Sequence, residues 1–152
     1  MEIDKTLKGR ATDEDLAFLR HKSVVLVDDN IELRGLNAQL LKTRYEVYQF
    51  GNEGDLARFL HYGGRAHLYV LDGEVPRKRG GSPELLVEQM VSRIREAHRT
   101  EQSQEYQHPG ILVMSGQAVD GLAKKLGVGI VPKGATTISR AVSDYLAAQA
   151  RK

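Results

Sequence analysis

Apolar residues along this chain gather into short runs, and several of those runs end on a polar residue. Ser23-Val24-Val25-Leu26-Val27 leads into Asp28-Asp29, Leu68-Tyr69-Val70-Leu71 into Asp72, Ile111-Leu112-Val113-Met114 into Ser115, and Gly129-Ile130-Val131-Pro132 into Lys133. Such runs, rich in β-branched residues and bounded by polar or glycine positions, have the pattern of strands covered on both faces. Tyr45 to Phe50 alternates instead, as a strand near a sheet edge does.

The stretches between read as helices. Asn30 predicts an N-cap for a helix reaching Lys42 or Arg44, with Ile31, Leu33, Leu36, Leu40 and Leu41 as its apolar face. Gly51-Asn52-Glu53-Gly54 predicts a turn, and Asp55 to Tyr62 a helix that stops at Gly63-Gly64. Ser82 followed by Pro83 predicts a cap and first helical residue for a third helix from Glu84 to about His98. A short helix over Ala118 to Leu126 ends at Gly127, and a last one runs from about Thr136 to Ala148. Arg99 to His108 is polar and reads as an exposed loop or helix extension. In the polar opening, Met1 to Lys22, Thr12-Asp13-Glu14-Asp15 precedes Leu16-Ala17-Phe18-Leu19 and predicts a short helix in an N-terminal extension.

Strand alternating with helix five times predicts a doubly wound α/β domain over residues 23–150. The 152 residues suffice for one domain with a real core. The chain has no Cys, which excludes disulfides, thiolate nucleophiles and cysteine metal sites. A formal charge of +2 gives no argument for nucleic-acid binding. No apolar run approaches the roughly 18 residues of a membrane span. The opening residues lack a signal-peptide core. The expectation is a cytoplasmic protein with no membrane partner.

Ligands of an open parallel sheet bind outside the carboxyl ends of its strands, so the polar residues ending these runs form a candidate site. Asp28 and Asp29 repel each other unless a cation or a cap offsets them. They suit Mg²⁺, which takes oxygen ligands and often only one or two carboxylates, and Asp29 or Asn30 equally suits a helix cap. Asp72 ends the most apolar strand, where a carboxylate can act as a nucleophile toward a phosphoryl group or simply lead into the turn at Gly73. Ser115 can donate to a phosphoryl oxygen or cap the helix that follows. Lys133 can pair with a carboxylate or a phosphoryl group as a point charge.

In this order the residues resemble the receiver domains of two-component response regulators. That family has an acidic pair after strand one, an acceptor Asp after strand three with Pro four residues on, Ser or Thr after strand four and Lys after strand five. Here these are Asp28-Asp29, Asp72 with Pro76, Ser115 and Lys133, and the resemblance covers roughly residues 23–147. It implies a flavodoxin-like sheet in the order 2-1-3-4-5 with helices on both faces. It implies phosphotransfer to Asp72 from a histidine kinase or phosphotransfer protein, switching a surface that meets a downstream protein. Mg²⁺ would be held by Asp29, Asp72 and the Glu74 carbonyl, with Asp28 acting through water. Any catalysis is then limited to phosphotransfer onto its own Asp72 and self-dephosphorylation. The chain departs from the pattern at Ile130, where the family has Tyr or Phe, and at Pro132, which precedes Lys133 instead of following it.

Two other readings use the same residues. Haloacid dehalogenase-like phosphatases share this chemistry but put their nucleophilic Asp after the first core strand and their acidic residues last, the reverse of the order here. A receiver-like module acting without phosphorylation fits the departures at Ile130 and Pro132. Arg77-Lys78-Arg79 stands ready to attract a phosphorylated donor, although a three-charge run is more often a solvated loop. His21, His61, His67, His98 and His108 show no metal-ligand spacing and read as surface or strand-edge residues.

Overall fold

The computed structural model describes residues 22–150, so the helix expected around residues 12–19, and His21, lie outside the described residues. Its strands are β1 (Ser23–Val27), β2 (Glu46–Phe50), β3 (Leu68–Leu71), β4 (Glu74–Pro76), β5 (Pro83–Leu85), β6 (Gly110–Met114) and β7 (Gly129–Val131). Its helices are α1 (Ile31–Leu41), α2 (Glu53–His61), α3 (Val87–Arg99), α4 (Val119–Leu126) and α5 (Ala135–Ala150), with a 3₁₀ turn at Gln104–Tyr106. β2-β1-β3-β6-β7 form one five-stranded parallel sheet, and β4-β5 a separate antiparallel ribbon. Counting the strands of the main sheet alone, this is the order 2-1-3-4-5 and the flavodoxin-like architecture that the resemblance implies.

Period-two alternation within the central strands builds two cores. Val25, Val27, Tyr69, Leu71, Ile111 and Val113 face α2, α3 and α4. Val24, Leu26, Leu68, Val70, Leu112 and Met114 face α1 and α5. Both faces are therefore covered, as an all-parallel sheet requires. The chain reverses its direction of travel across the sheet between β1 and β3, which is where a doubly wound fold opens its binding crevice.

Four expectations need correction. β7, read as covered on both faces, is an edge strand whose Gly129 and Ile130 are exposed, because it pairs on one side only. Of the apolar face predicted for α1, only Leu41 is buried. Asn37, Ala38 and Leu41 point inward, whereas Ile31, Leu36 and Leu40 are exposed. A helix wedged between a sheet and α5 buries the stripe that geometry brings inward, and here that stripe contains Ala38, small enough for close approach.

The third helix does not begin at Glu84. Pro83–Leu85 is a strand paired with Glu74–Pro76, and α3 starts at Val87. Local chemistry favoured a cap, but non-local pairing wins: Leu86 N–H donates to Gly73 O at 2.9 Å, and Arg77 pairs with Glu84 across the ribbon at 3.0 Å. Pro76 faces Pro83 at the end of the ribbon, where a missing N–H costs least. The real helix then buries Val87, Met90, Val91, Ile94 and His98.

His67 and His98 are not surface residues; they are 7% and 1% exposed. His98 Nε2 meets Tyr69 Oη at 2.7 Å, Tyr69 Oη accepts the Ala66 N–H at 3.1 Å, and His98 Nδ1 bonds the Tyr106 carbonyl. A carbonyl only accepts, so Nδ1 carries the proton and Nε2 accepts from the tyrosine. His67 Nδ1 accepts the Ser23 N–H at 2.9 Å, leaving Nε2–H to donate to Glu105 at 2.5 Å. The two rings thus clasp the segment around the 3₁₀ turn onto the amino-terminal ends of the central strands, opposite the candidate site. Glu105, His67 and Ser23 line up like a hydrolase triad, with Ser23 Oγ 3.1 Å from His67 Nδ1. The Ser23 N–H already occupies the lone pair a general base would need, and Ser23 is buried, so the chain of contacts is structural.

Gly73, directly after Asp72, is where α3 and α4 converge. A Cβ there would lie 2.3 Å from a Val119 methyl and 2.8 Å from a Val87 methyl. Gly73→Ala is expected to destabilise the fold by about 1–3 kcal/mol through overpacking, read as a lower urea midpoint with an unchanged slope.

Candidate functional site

Backbone pairing places the acids. Asp28 N–H donates to Phe50 O at 3.0 Å and Asp72 N–H to Val27 O at 2.8 Å, so the ladders of β1 and β3 run to the acids themselves. Asn30 caps α1 as predicted, accepting Leu33 N–H at 3.1 Å, while its own N–H donates to Asp28 Oδ1 at 2.9 Å. Arg34, a residue the sequence reading missed, reaches back from α1 to the Asp28 carbonyl at 2.5 Å. It lies four residues after the Asn30 cap, and its backbone N–H bonds the Asn30 carbonyl at 3.0 Å.

Carboxylate oxygens of Asp28, Asp29 and Asp72 lie within 4.8 Å of one another. Asp28 and Asp72 are buried, and Asp29 is exposed. Burial pushes the Asp28 carboxyl up to about 6; the Asn30 N–H opposes that shift, and the charge of Asp72 adds to it. Asp28 Oδ2 is buried without a hydrogen-bond partner. A buried carboxylate oxygen with no donor, beside two further carboxylates, is a donor set short of a cation. The residues present fit a hard divalent ion such as Mg²⁺. The Glu74 side chain is exposed and is not one of the three clustered carboxylates; its N–H donates to Asp72 Oδ1 at 3.2 Å.

Lys133 reaches the site across 61 positions of sequence, its Nζ 3.3 Å from Asp72 Oδ2. The lysine is half exposed while Asp72 is buried, so the charge arrives from the solvent side. Ser115 follows β6, paired with β3, and its N–H is held by Val131 O at 2.7 Å. Its hydroxyl, however, donates to the Asp120 carboxylate, 3.1 Å from each oxygen. Asp120 also accepts the Gly116 N–H at 3.1 Å. Asp120 is a second residue that sequence reasoning missed; an acid five positions after a serine, in the first turn of a helix, was the available signal.

The β4-β5 ribbon rises directly after Asp72. Val75 is fully buried, and Gly54 N–H donates to Arg77 O at 2.7 Å, tying the ribbon to the start of α2. Arg77 is committed to Glu84, while Lys78 and Arg79 are exposed near its tip.

Solved structures that share this arrangement of strands include receiver domains. The chemotaxis response regulator CheY4 of Vibrio cholerae superposes with a TM-score of 0.59 at 20% identity, covering 82% of this chain and 98% of that one. The chain has the receiver-domain fold. A CheY-like response regulator receiver domain protein from Methanospirillum hungatei matches at 0.59 and 14% identity over 86% of this chain and 98% of the other. The BeF3-activated receiver domain of DrrB matches at 0.58 and 17% identity, over 83% and 97%. No protein-family model and no curated protein sequence matches the chain. Among the described residues, no helix is long and apolar enough to cross a membrane.

Proposed function

We propose that this chain is a phosphorelay receiver that takes a phosphoryl group onto Asp72 from a phosphohistidine on a kinase or phosphotransfer protein. The observation that carries this reading is the buried Asp72 carboxylate, set between a cluster of acids with an unsatisfied oxygen and the ammonium of Lys133. An Asp72 oxygen attacks phosphorus, a P–O bond forms, and the P–N bond breaks with its electron pair passing to the departing imidazole. Asp28, Asp29 and Asp72, together with the Glu74 carbonyl, would hold Mg²⁺. When bound, that ion supplies positive charge between the acids and the phosphoryl oxygens. Lys133 is placed to exchange its Asp72 contact for a phosphoryl oxygen. The added charge of about −1.5 to −2 then reorganises the loops after β6 and β7 and the surface they support.

Intact mass tests this reading. With Mg²⁺ and acetyl phosphate the chain is expected to gain one phosphoryl group, removable by hydroxylamine as an acyl phosphate is. Chelation with EDTA is expected to prevent the gain. A second reading, a docking module that works without phosphorylation, is favoured by the engagement of the Ser115 hydroxyl with Asp120. No mass gain under conditions where the donor survives would select it.

A further inference from the structure

Ser115 has one hydroxyl proton, and the structure shows where it goes. Both neighbouring backbone positions are fixed: Ser115 N–H on Val131 O, and Gly116 O accepting the N–H groups of Val119 and Asp120 at 3.0 and 3.1 Å. What remains free is rotation about the Ser115 side-chain torsion, which has discrete staggered positions. In the position observed, the proton lies against the Asp120 carboxylate, which holds the Gly116 N–H as well. A single hydroxyl cannot donate to two acceptors in different directions.

We propose that Asp120 is a latch on Ser115, a positioning residue that keeps the hydroxyl away from the acceptor site until a phosphoryl group at Asp72 outcompetes it. The proposal rests on reading Asp72 as the acceptor. β6 lies beside β3 with Val113 opposite Leu71, so Ser115 stands on the rim next to Asp72. Two anions would compete for the Ser115 proton: the single charge of Asp120 and the larger charge of an aspartyl-phosphate. Asp120 thereby sets how strongly the site must be charged before the loop after β6 closes. It does not touch the reacting atoms. With a hydroxyl shared in this way, loop closure becomes an exchange of hydrogen bonds.

Beryllofluoride, a phosphoryl mimic, titrated in Mg²⁺ buffer and followed by ¹⁹F NMR, reads the competition without turnover. Asp120→Ala is expected to tighten beryllofluoride binding about tenfold, the scale of one hydrogen bond to a charged group. In a Ser115→Ala background the same substitution is expected to change affinity little, because no hydroxyl remains to release. Asp120→Asn keeps an acceptor for Gly116 N–H without the charge and is expected to fall between. It replaces Asp120→Ala in the cycle if the alanine variant does not fold. Unchanged or weakened binding on removing the carboxylate would overturn the latch. So would an equal gain with and without Ser115, which marks simple charge relief. If the unaltered chain binds no beryllofluoride, the reading of Asp72 falls and the latch with it. Binding without coupling removes the latch alone.

Discussion

Asp72→Asn is expected to cut phosphoryl incorporation from acetyl phosphate by a factor of about a thousand or more, with the chain still folded. The substitution removes the proposed nucleophile and little else. An amide oxygen carries no formal charge to direct at phosphorus, and the amide nitrogen's lone pair is delocalised. The side chain keeps its size, and an oxygen remains to accept the Glu74 N–H now held at 3.2 Å. Its pairing with Lys133 disappears, but that ammonium is half exposed, and such pairs contribute about 1 kcal/mol or less. Against this loss, one of two buried neighbouring carboxylates no longer repels the other. Thermal unfolding of the variant should therefore match or exceed that of the parent. Intact mass of both proteins in one donor mixture decides the matter: a phosphoryl group on the Asp72→Asn variant would put the acceptor elsewhere.

Unfolding free energy is expected to fall as pH drops from about 7 through the ordinary imidazole range near 6.5. Burial pushes both His67 and His98 below their usual value. His67 is faced by Glu105 and Glu46, which oppose the shift, and by Lys22, which adds to it. His98 is faced by Glu101 and the Tyr106 carbonyl in opposition, with Arg65 and His67 adding to the shift. The hydrogen bonds give the same direction. A proton on His67 Nδ1 would confront the Ser23 N–H, and one on His98 Nε2 would displace the Tyr69 proton. With folded values below unfolded ones, the unfolded chain binds protons first. Stability is complete above about 6.5 and is lost as pH falls toward the folded values. Each unit of lowering corresponds to about 1.4 kcal/mol per ring.

Asp28 acts in the opposite sense. Its carboxyl, raised to about 6, takes a proton in the fold before it does in the unfolded chain, so it offsets part of the loss between about pH 6 and 4. Urea titrations at pH 7.5, 6.5 and 5.5 in an Asp28→Asn background isolate the histidines. There, His98→Gln is expected to lower stability at pH 7.5 and flatten its pH dependence. Parallel pH profiles for the two proteins would remove His98 from the account.

Sequence reading succeeds here where structure is local. The Asn30 cap, the stop at Gly127 in the left-handed region (φ 73°) and the apolar strand runs all lie where they were expected, because caps, turns and strand patterns depend on residues a few positions apart. It fails where distant segments decide. Ser82-Pro83 has the chemistry of a helix start, yet Pro76 and Glu84 were already committed to a ribbon. His67 beside a strand run and His98 at a helix end read as surface or strand-edge residues, yet the partners that bury them, Ser23 and Glu105 for His67 and Tyr69 for His98, lie far off in sequence.

Local pattern and side-chain identity were enough for the alternation of strands and helices and for which polar residue comes after β1, β3, β6 and β7. Packing alone settled which face of α1 is buried, how far the β3–α3 connection folds on itself, and how Lys133 reaches Asp72. Each of these depends on groups that meet only once the sheet and its helices have assembled. Lys133 meets Asp72 across 61 residues and His67 meets Glu105 across 38, whereas the Ser115 hydroxyl finds its partner in Asp120, five positions on.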